Sequence, residues 1–486
     1  MVGAGRALPV AASAVDKAGD CIFPAPLQVP KGTGAVFLKA SVDVGPMCAL
    51  DSSGGVWAWS GWGTERWPAT PARLLERCVD CAAGSGFVVA AKSDGTVWLL
   101  GKAPAPTPLP DSGTSGAGDW VELPWAAEEP PQAVAVDACG GVVLVASAEG
   151  ALFSCGRGVA LGMEEETGLA SLTRVPGLPP VAAFSVGSIH AACAGRDGSL
   201  YTWGDGLSGT VGIGKRVRVQ LLPTFVALDG RGAEGGSAKE GEVLAPETRV
   251  VHVSCTRGQG RPKRESKGTR CASGQEGPRC HAVSADGGLW IAGTVHKGLG
   301  ADHLSKTLGT TGSDHLSFYR VGGRAQPAET EGVMTGAAED LKIDAELAAR
   351  RMGMKCAADF GRDGATHYLD EVQITSSCPS HIHSVALAAD GRAFSWGCGS
   401  DGRTGLAALM RGPRGAKRAL KCYVSTPSVV EALEGDRVLY LTSGRYWSLA
   451  VVEPRGLRQP AQRLSLSAET DRVLEPKPEP EPEPIG

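Results

Sequence analysis

The stretch Gly187–Gly204, GSIHAACAGRDGSLYTWG, constrains the fold most, because it spells out one β-hairpin and then recurs along the chain. A strand of small residues runs into Asp197-Gly198, and a second strand alternates Leu200, Tyr201, Thr202 and Trp203 before stopping at Gly204. Asp-Gly between alternating apolar residues specifies a tight turn, since glycine takes positive φ at little cost. One hairpin cannot bury its own faces, so a chain built on it must stack copies against one another.

The copies are present. Ile382–Gly399 and Gly84–Gly101 match closely, and Gly45–Gly61, Gly140–Gly156 and Cys280–Gly293 are weaker versions. Their turn glycines are Gly54, Gly95, Gly150, Gly198, Gly287 and Gly391. Three residues after each comes an aromatic: Trp57, Trp98, Phe153, Tyr201, Trp290 and Phe394. Two further on, hence on the same strand face, stand Trp59, Leu100, Cys155, Trp203, Ala292 and Trp396. Five residues before each glycine lies a slim side chain: Ala49, Ala90, Val145, Cys193, Ala282 and Ala386. Large against small at matched depth suggests interdigitating packed sheets.

The two ends complete the pattern. Gly5-Arg6-Ala7-Leu8 aligns with Gly391-Arg392-Ala393-Phe394, the second half of a hairpin, and Val438–Glu453 supplies a first half. Pairing the ends would close a ring and remove two exposed sheet edges. Pro9 suits only an edge position there. Proline-bearing segments between hairpins, Phe23–Val29, Leu172–Gly187 and Ser425–Val430, add short strands, so each unit carries about four. Successive turn glycines lie 41, 55, 48, 89 and 104 residues apart. The last two intervals require insertions, placed at about 229–279 and 297–354, with a short amphipathic helix expected over Glu339–Met352.

The units resemble the repeats of the regulator of chromosome condensation family, whose signature reads roughly G-x-x-H-x-x-A-L followed by D-G-x-φ-φ-x-W-G, φ being apolar. Gly187, His190, Asp197, Gly198, Trp203 and Gly204 fit it, as do His383, Ala386, Leu387, Asp390, Gly391, Trp396 and Gly397. The resemblance spans about residues 5–453 and implies an all-β, seven-bladed propeller with four-stranded blades. It also implies ring closure by a composite blade from the N- and C-terminal strands, with loop insertions after the fourth and fifth hairpins. Residues 454–486, ending in a Pro/Glu run, read as a disordered acidic tail.

Composition narrows the function. A net charge of −4 gives no global attraction to nucleic acid or anionic membrane, and no 18-residue apolar span is present. The first twenty residues lack the apolar core of a secretory signal, and the scattered cysteines read as small buried residues, so an intracellular, cytoplasmic or nuclear, setting is expected. His190 and His383 read as buried residues bonding neighbouring backbone. Cys78-x-x-Cys81, Cys271 with Cys280-His281, and Cys378 with His381 and His383 have metal-like spacings that the repeat strands already explain. The glycine-rich Gly204–Lys215 reads as a blade-to-blade loop, not a phosphate loop. No catalytic, metal or cofactor site is expected.

Two basic runs, Arg257–Arg270 and Arg411–Lys421, stand out. They read mainly as solvated loop faces, with Arg261, Lys263 and Arg264 as the candidate contact for a partner. The expected function is a non-enzymatic scaffold or docking subunit that binds other proteins, a fixed place in a large assembly being one form of it. The alternative implied by the resemblance is a guanine-nucleotide exchange factor for a small GTPase.

Overall fold

A computed structural model describes residues 6–10, 35–43, 45–60, 67–68, 70–101, 120–166, 168–228, 244–257, 277–294, 314–321, 369, 372–398, 403–406, 423–444 and 447–453. The N-terminal strand β1 (Arg6–Val10) is followed by six four-stranded antiparallel sheets. The first holds β2 (Phe37–Val42), β3 (Pro46–Asp51), β4 (Val56–Ser60) and β5 (Ala72–Leu75). The second holds β6 (Cys78–Gly84), β7 (Phe87–Lys92), β8 (Val97–Gly101) and β9 (Val121–Glu122). The third is β10 (Ala133–Cys139), β11 (Val142–Ser147), β12 (Leu152–Gly156) and β13 (Leu169–Arg174). The fourth is β14 (Val181–Val186), β15 (His190–Gly195), β16 (Leu200–Asp205) and β17 (Val219–Val226). β18 (Val250–Cys255), β19 (Arg279–Ser284), β20 (Leu289–Thr294) and β21 (Asp314–Arg320) make the fifth sheet. β22 (Ile374–Pro379), β23 (His383–Ala388), β24 (Ala393–Cys398) and β25 (Tyr423–Val429) make the sixth. A terminal sheet of three strands joins β26 (Arg437–Ser443) and β27 (Ser448–Glu453) to β1.

The architecture is an all-β propeller with four-stranded blades. Where four strands were expected in every unit, the described residues give six such sheets and one of three. Residues 11–34, from which a further strand would come, lie outside the described residues, as do the expected helix at Glu339–Met352 and the tail. The end-to-end pairing keeps the repeat register. Ala7 faces Val451 and Leu8 faces Ala450, just as Ala393 faces Leu387 and Phe394 faces Ala386. Pro9 sits opposite Leu449 on the edge strand of the described sheet, where a missing amide donor is tolerated.

The hairpins form as their chemistry requires. All six turn glycines have φ between 79° and 90°, and Asp94, Asp197 and Asp390 each accept the backbone N–H two residues on, at 3.0 Å. The expected aromatic and slim residues are direct cross-strand neighbours within one hairpin: Ala49 opposite Trp57, Ala90 opposite Trp98, and likewise through Ala386 opposite Phe394. The size match therefore works inside each sheet first, and the filled face then packs on the next sheet. Seven apolar clusters fill the gaps between successive sheets. Trp203 and Trp396 are fully buried in two of them, and Phe37 and Trp59 pack with Leu449 and Val451 to join the first sheet to the terminal one.

Gly204–Lys215 does not connect blades. It lies between β16 and β17 of one sheet, because the strand that follows returns to pair with β16. The segment still reaches the neighbour, where Ile213 bridges Ser317 and no Cβ could be accommodated at Gly212 against Phe318.

Deleting residues 1–10 removes β1 and bares the edge of β27. We expect aggregation, or a melting temperature lowered by about 5 °C or more, the scale of losing a few kcal/mol in a large domain. An unchanged melting curve for a soluble truncation would rule out a stabilising role for this pairing.

Candidate functional site

The first strand of each sheet (β2, β6, β10, β14, β18, β22 and β26) lines the ring's central channel. Each is bulged near its start, between Phe37 and Lys39 in β2 and at the matching repeat position in the others. A bulge turns one extra residue away from the ladder. That residue is Leu38, Val79, Val134, Ala182, Val251, Thr375 or Leu439, and all seven are exposed. Five are large and apolar, with exposures of 39–51%, and among the described residues no other large apolar side chain is so open. They make an apolar collar at the end of the ring where the inner strands begin.

Inside the collar the lining turns polar. Lys39 Nζ donates to Asp80 Oδ1 at 2.7 Å, and His252 Nε2 lies 3.0 Å from the Ser377 carbonyl oxygen. Burial, the largest single influence, pulls the Lys39 ammonium pKa down, but Asp80, Tyr440 and Cys81 together outweigh it and the net shift is upward. Burial pushes the Tyr440 hydroxyl up to about 12 and His252 down.

At the far end of the inner strands Arg257 reaches across to three other sheets. From the loop after β18 its guanidinium pairs with Asp137, donates to the Ala138 carbonyl at 2.9 Å and approaches Ser41 Oγ at 3.4 Å. Its backbone N–H donates to the Pro379 carbonyl at 3.2 Å. One residue of the fifth sheet thus contacts the first, third and sixth. Burial opposes its charge, yet Asp137 raises its pKa well above the usual value. Asp137 also accepts the Val186 N–H at 2.9 Å, so the pair is fully engaged. Arg257 was expected on a solvated loop face; it is buried because the channel supplies a carboxylate and carbonyls at that depth. Arg261, Lys263 and Arg264 lie outside the described residues. Their described flanks, Arg257 and Gly277, both bond to the connection between β22 and β23, with Gly277 N–H donating to the His381 carbonyl at 3.1 Å. The second basic run, at Arg411–Lys421, also lies outside the described residues.

The repeat's histidine position acts between sheets. His383 is buried with Nδ1 2.7 Å from Ser380 Oγ and Nε2 2.8 Å from Ser448 Oγ in the terminal sheet. Backbone was the expected partner; two hydroxyls serve instead, because the neighbouring sheet offers a serine at that height. In the fifth sheet Arg279 holds the same place and donates to Ser384 Oγ of the sixth at 3.4 Å. In the fourth sheet His190 reaches the fifth, where one of its ring nitrogens and the sulfurs of Cys255 and Cys280 all lie within 4.8 Å of one another. The two sulfurs are 4.0 Å apart on directly paired residues. A hydrogen bond from Cys255 and the nearby His190 hold the Cys280 thiol at about 6, against the effect of burial.

The spacings noted in the sequence do not assemble. Cys78 Sγ donates to the Glu76 carbonyl while Cys81 sits against Cys48, and Cys378 bonds toward Thr442 and Ser443 while His383 turns to Ser448. Cys271 is outside the described residues. The trio that does converge joins positions 190, 255 and 280 on three strands, and no local motif marks it.

With this geometry in place, comparisons with known proteins locate the family. The model of the Regulator of chromosome condensation (RCC1) repeat matches residues 390–451. The match covers that segment alone, while the described chain as a whole is an all-β propeller of four-stranded sheets. It is 32% identical over 165 residues to the human E3 ubiquitin-protein ligase HERC2 and 31% identical to the mouse protein. That match takes in 32% of this chain but only 3% of the length of those curated relatives. Among solved structures, Prp20p from Saccharomyces cerevisiae, described with its binding to Gsp1p and histones, superposes with a TM-score of 0.61 at 15% identity. It covers 93% of this chain and 92% of its own. Human WBSCR16 gives 0.60 at 13% identity, over 93% and 100%. At such identities these structures show the shared RCC1-type fold alone.

Two measurements follow from the site. Replacing Arg257 by Met leaves Asp137 buried without its cation, which should cost about 3–5 kcal/mol in urea denaturation. A loss below about 1 kcal/mol would mean the pair is not desolvated as described. The second concerns acid. His252, His281 and His383 all have lowered pKa values, first through burial, with Arg279 close to the latter two. Their stabilisation is complete above the unfolded value of about 6.5 and is lost as pH falls toward the folded values. Stability should therefore drop below pH 6.5, by up to about 1.4 kcal/mol per pH unit for each histidine. Flat stability between pH 7.5 and 5.5 would contradict this.

Proposed function

We propose that this RCC1-repeat ring is a non-enzymatic docking subunit for other proteins and that its apolar collar is the principal contact. The observation that carries this is the coincidence of exposure and position. Leu38, Val79, Val134, Val251 and Leu439 occupy one repeat site on five inner strands and stay open to solvent. Large apolar side chains that stay exposed at one repeat site mark a candidate interaction surface. The charged groups deeper in the channel, Lys39 and Arg257, are already tied to Asp80 and Asp137, which suits a stabilised lining.

On this reading the three-stranded terminal sheet is the seventh blade. Phe23–Val29, outside the described residues, has the sequence character of a further strand, and the ring is read as spanning residues 1–453. Segments 229–243 and 322–368 each lead from an outer strand to the next inner one, so their described flanks lie toward the collar. The described flanks of segments 258–276 and 295–313 lie at the opposite end, and Arg261, Lys263 and Arg264 are a proposed contact for an acidic surface. The free, buried state of nine described cysteines suits an intracellular setting, and no described helix is long and apolar enough to cross a membrane. The rival reading, regulation of a small GTPase, draws on the description of Prp20p with Gsp1p and is an outcome of the same experiment.

The experiment compares partner capture by the full chain, by Leu38→Asp with Leu439→Asp, and by Arg261→Glu with Lys263→Glu and Arg264→Glu. The collar variant should melt normally and lose most of its captured partner, at least tenfold by quantitative mass spectrometry. Retention by the collar variant with loss in the basic-loop variant would move docking to the other end. A nucleotide-free small GTPase as the captured species would favour the rival.

A further inference from the structure

We infer that His190, Cys255 and Cys280 form a buried zinc site that staples the fourth sheet to the fifth. All three residues are fully buried, and their ligand atoms lie within 4.8 Å of one another. Two thiolates on one tetrahedral zinc, each about 2.3 Å from the ion, stand about 3.8 Å apart. The Cys255 and Cys280 sulfurs are separated by 4.0 Å.

A second observation is independent of that spacing. Neither ring nitrogen of His190 has a hydrogen-bond partner of acceptable geometry, although the side chain is completely buried. His383, at the same repeat position two sheets on, has both nitrogens satisfied by Ser380 and Ser448. Cys280 occupies in the fifth sheet the place that Ser448 holds in the terminal one, opposite the last residue of the inner strand. The hydroxyl that satisfies His383 is thus replaced by a thiol, and a second thiol is added at Cys255. An orphaned buried imidazole is costly, whereas an imidazole aimed at two thiols is a borderline-soft ligand set.

Charge selects the ion. Two thiolates and a neutral imidazole around Zn²⁺ sum to zero, which a fully buried site tolerates, while a monovalent ion would leave a net negative charge. Binding requires both thiols to lose their protons to solvent and His190 to be neutral. The set supplies three of the four ligands that zinc usually takes.

The repeat itself provides variants that should fold. The position of Cys255 is occupied by Ala138 in the third sheet and that of Cys280 by Ala191 in the fourth. Full-length chain purified without chelator should retain one zinc after dialysis, measured by plasma mass spectrometry. The metal-free chain given Co²⁺ should develop thiolate-to-cobalt charge-transfer bands. Cys255→Ala with Cys280→Ala should lose both signals, and His190→Gln should weaken them at least tenfold. A chelator should lower the melting temperature of the native chain and leave the double alanine variant unmoved. Sub-stoichiometric metal in a folded native chain, a Cys255–Cys280 disulfide found by peptide mapping, or cobalt bands persisting in the double variant would each overturn the proposal.

Discussion

The structure depends on one hydrogen bond made six times. In each hairpin the carbonyl of the turn glycine accepts the backbone N–H of a residue opening the next inner strand: Gly54 from Cys78, Gly95 from Ala133, Gly150 from Val181, Gly198 from Val250, Gly287 from Ile374 and Gly391 from Val438. The lengths run from 2.8 to 3.3 Å. The same glycine must hold positive φ to close its own turn and must lack a Cβ to let the neighbour approach. At Gly287 a Cβ would lie 2.7 Å from the Gln373 Cα, and at Gly54 2.9 Å from the Cys78 carbonyl oxygen. One residue thereby sets the hairpin, the spacing between blades and the start of the next strand. The 89- and 104-residue intervals do not disturb this, since Gly198 still accepts from Val250 and Gly287 from Ile374 within them.

Side chains reinforce the weld nearer the axis, and there the repeat is free to vary. Between the second and third sheets the link is Asp80 accepting the Val136 N–H; between the third and fourth it is Asp137 accepting that of Val186. Between the first and second Ser41 serves, and between the fourth and fifth Ser185. Any short acceptor at that depth suffices, so the inner strands tolerate sequence drift while the backbone geometry persists. Two carboxylates brought to the axis in this way would repel, and the structure answers with cations from other sheets, Lys39 against Asp80 and Arg257 against Asp137. Both cations cross from a distant part of the chain. The channel is therefore a cross-braced element, and the parts left free to contact partners are the collar and the inserts.

This division explains what the sequence made legible. The hairpins, their register, the pairing of Ala7 with Val451 and the slim-against-aromatic rows follow from short-range chemistry, where a turn glycine and a period of two leave few alternatives. The collar was not foreseen, because a bulge is a property of pairing and Leu38, Val79 and Val251 look locally like ordinary strand residues. Arg257 misled for a related reason: it opens a basic run, and only the ring places Asp137, 120 positions away, beneath it. The match to the family model at residues 390–451 takes in the second strand of the sixth hairpin and the unit that pairs with the N-terminal strand.

The His190–Cys255–Cys280 cluster belongs to the same logic, at an inner strand with long connections on both sides. β18 carries Cys255 and is flanked by the two segments 229–243 and 258–276, so its inner strand is held to the rest of the ring through long connections on both sides. Closing longer loops costs more conformational entropy, though slowly, and a strand between two such loops is the first to open. Elsewhere the histidine-position link is a neutral hydrogen bond, as from His383 to Ser448, or a weak one, as from Arg279 to Ser384. At β18 those bonds are replaced by a ligand set that spans the fourth and fifth sheets and holds both the inner strand and its neighbour. A metal there would tie an inner strand bordered by two insertions to its neighbours, while the repeat geometry that brings the three residues together stays that of every other blade.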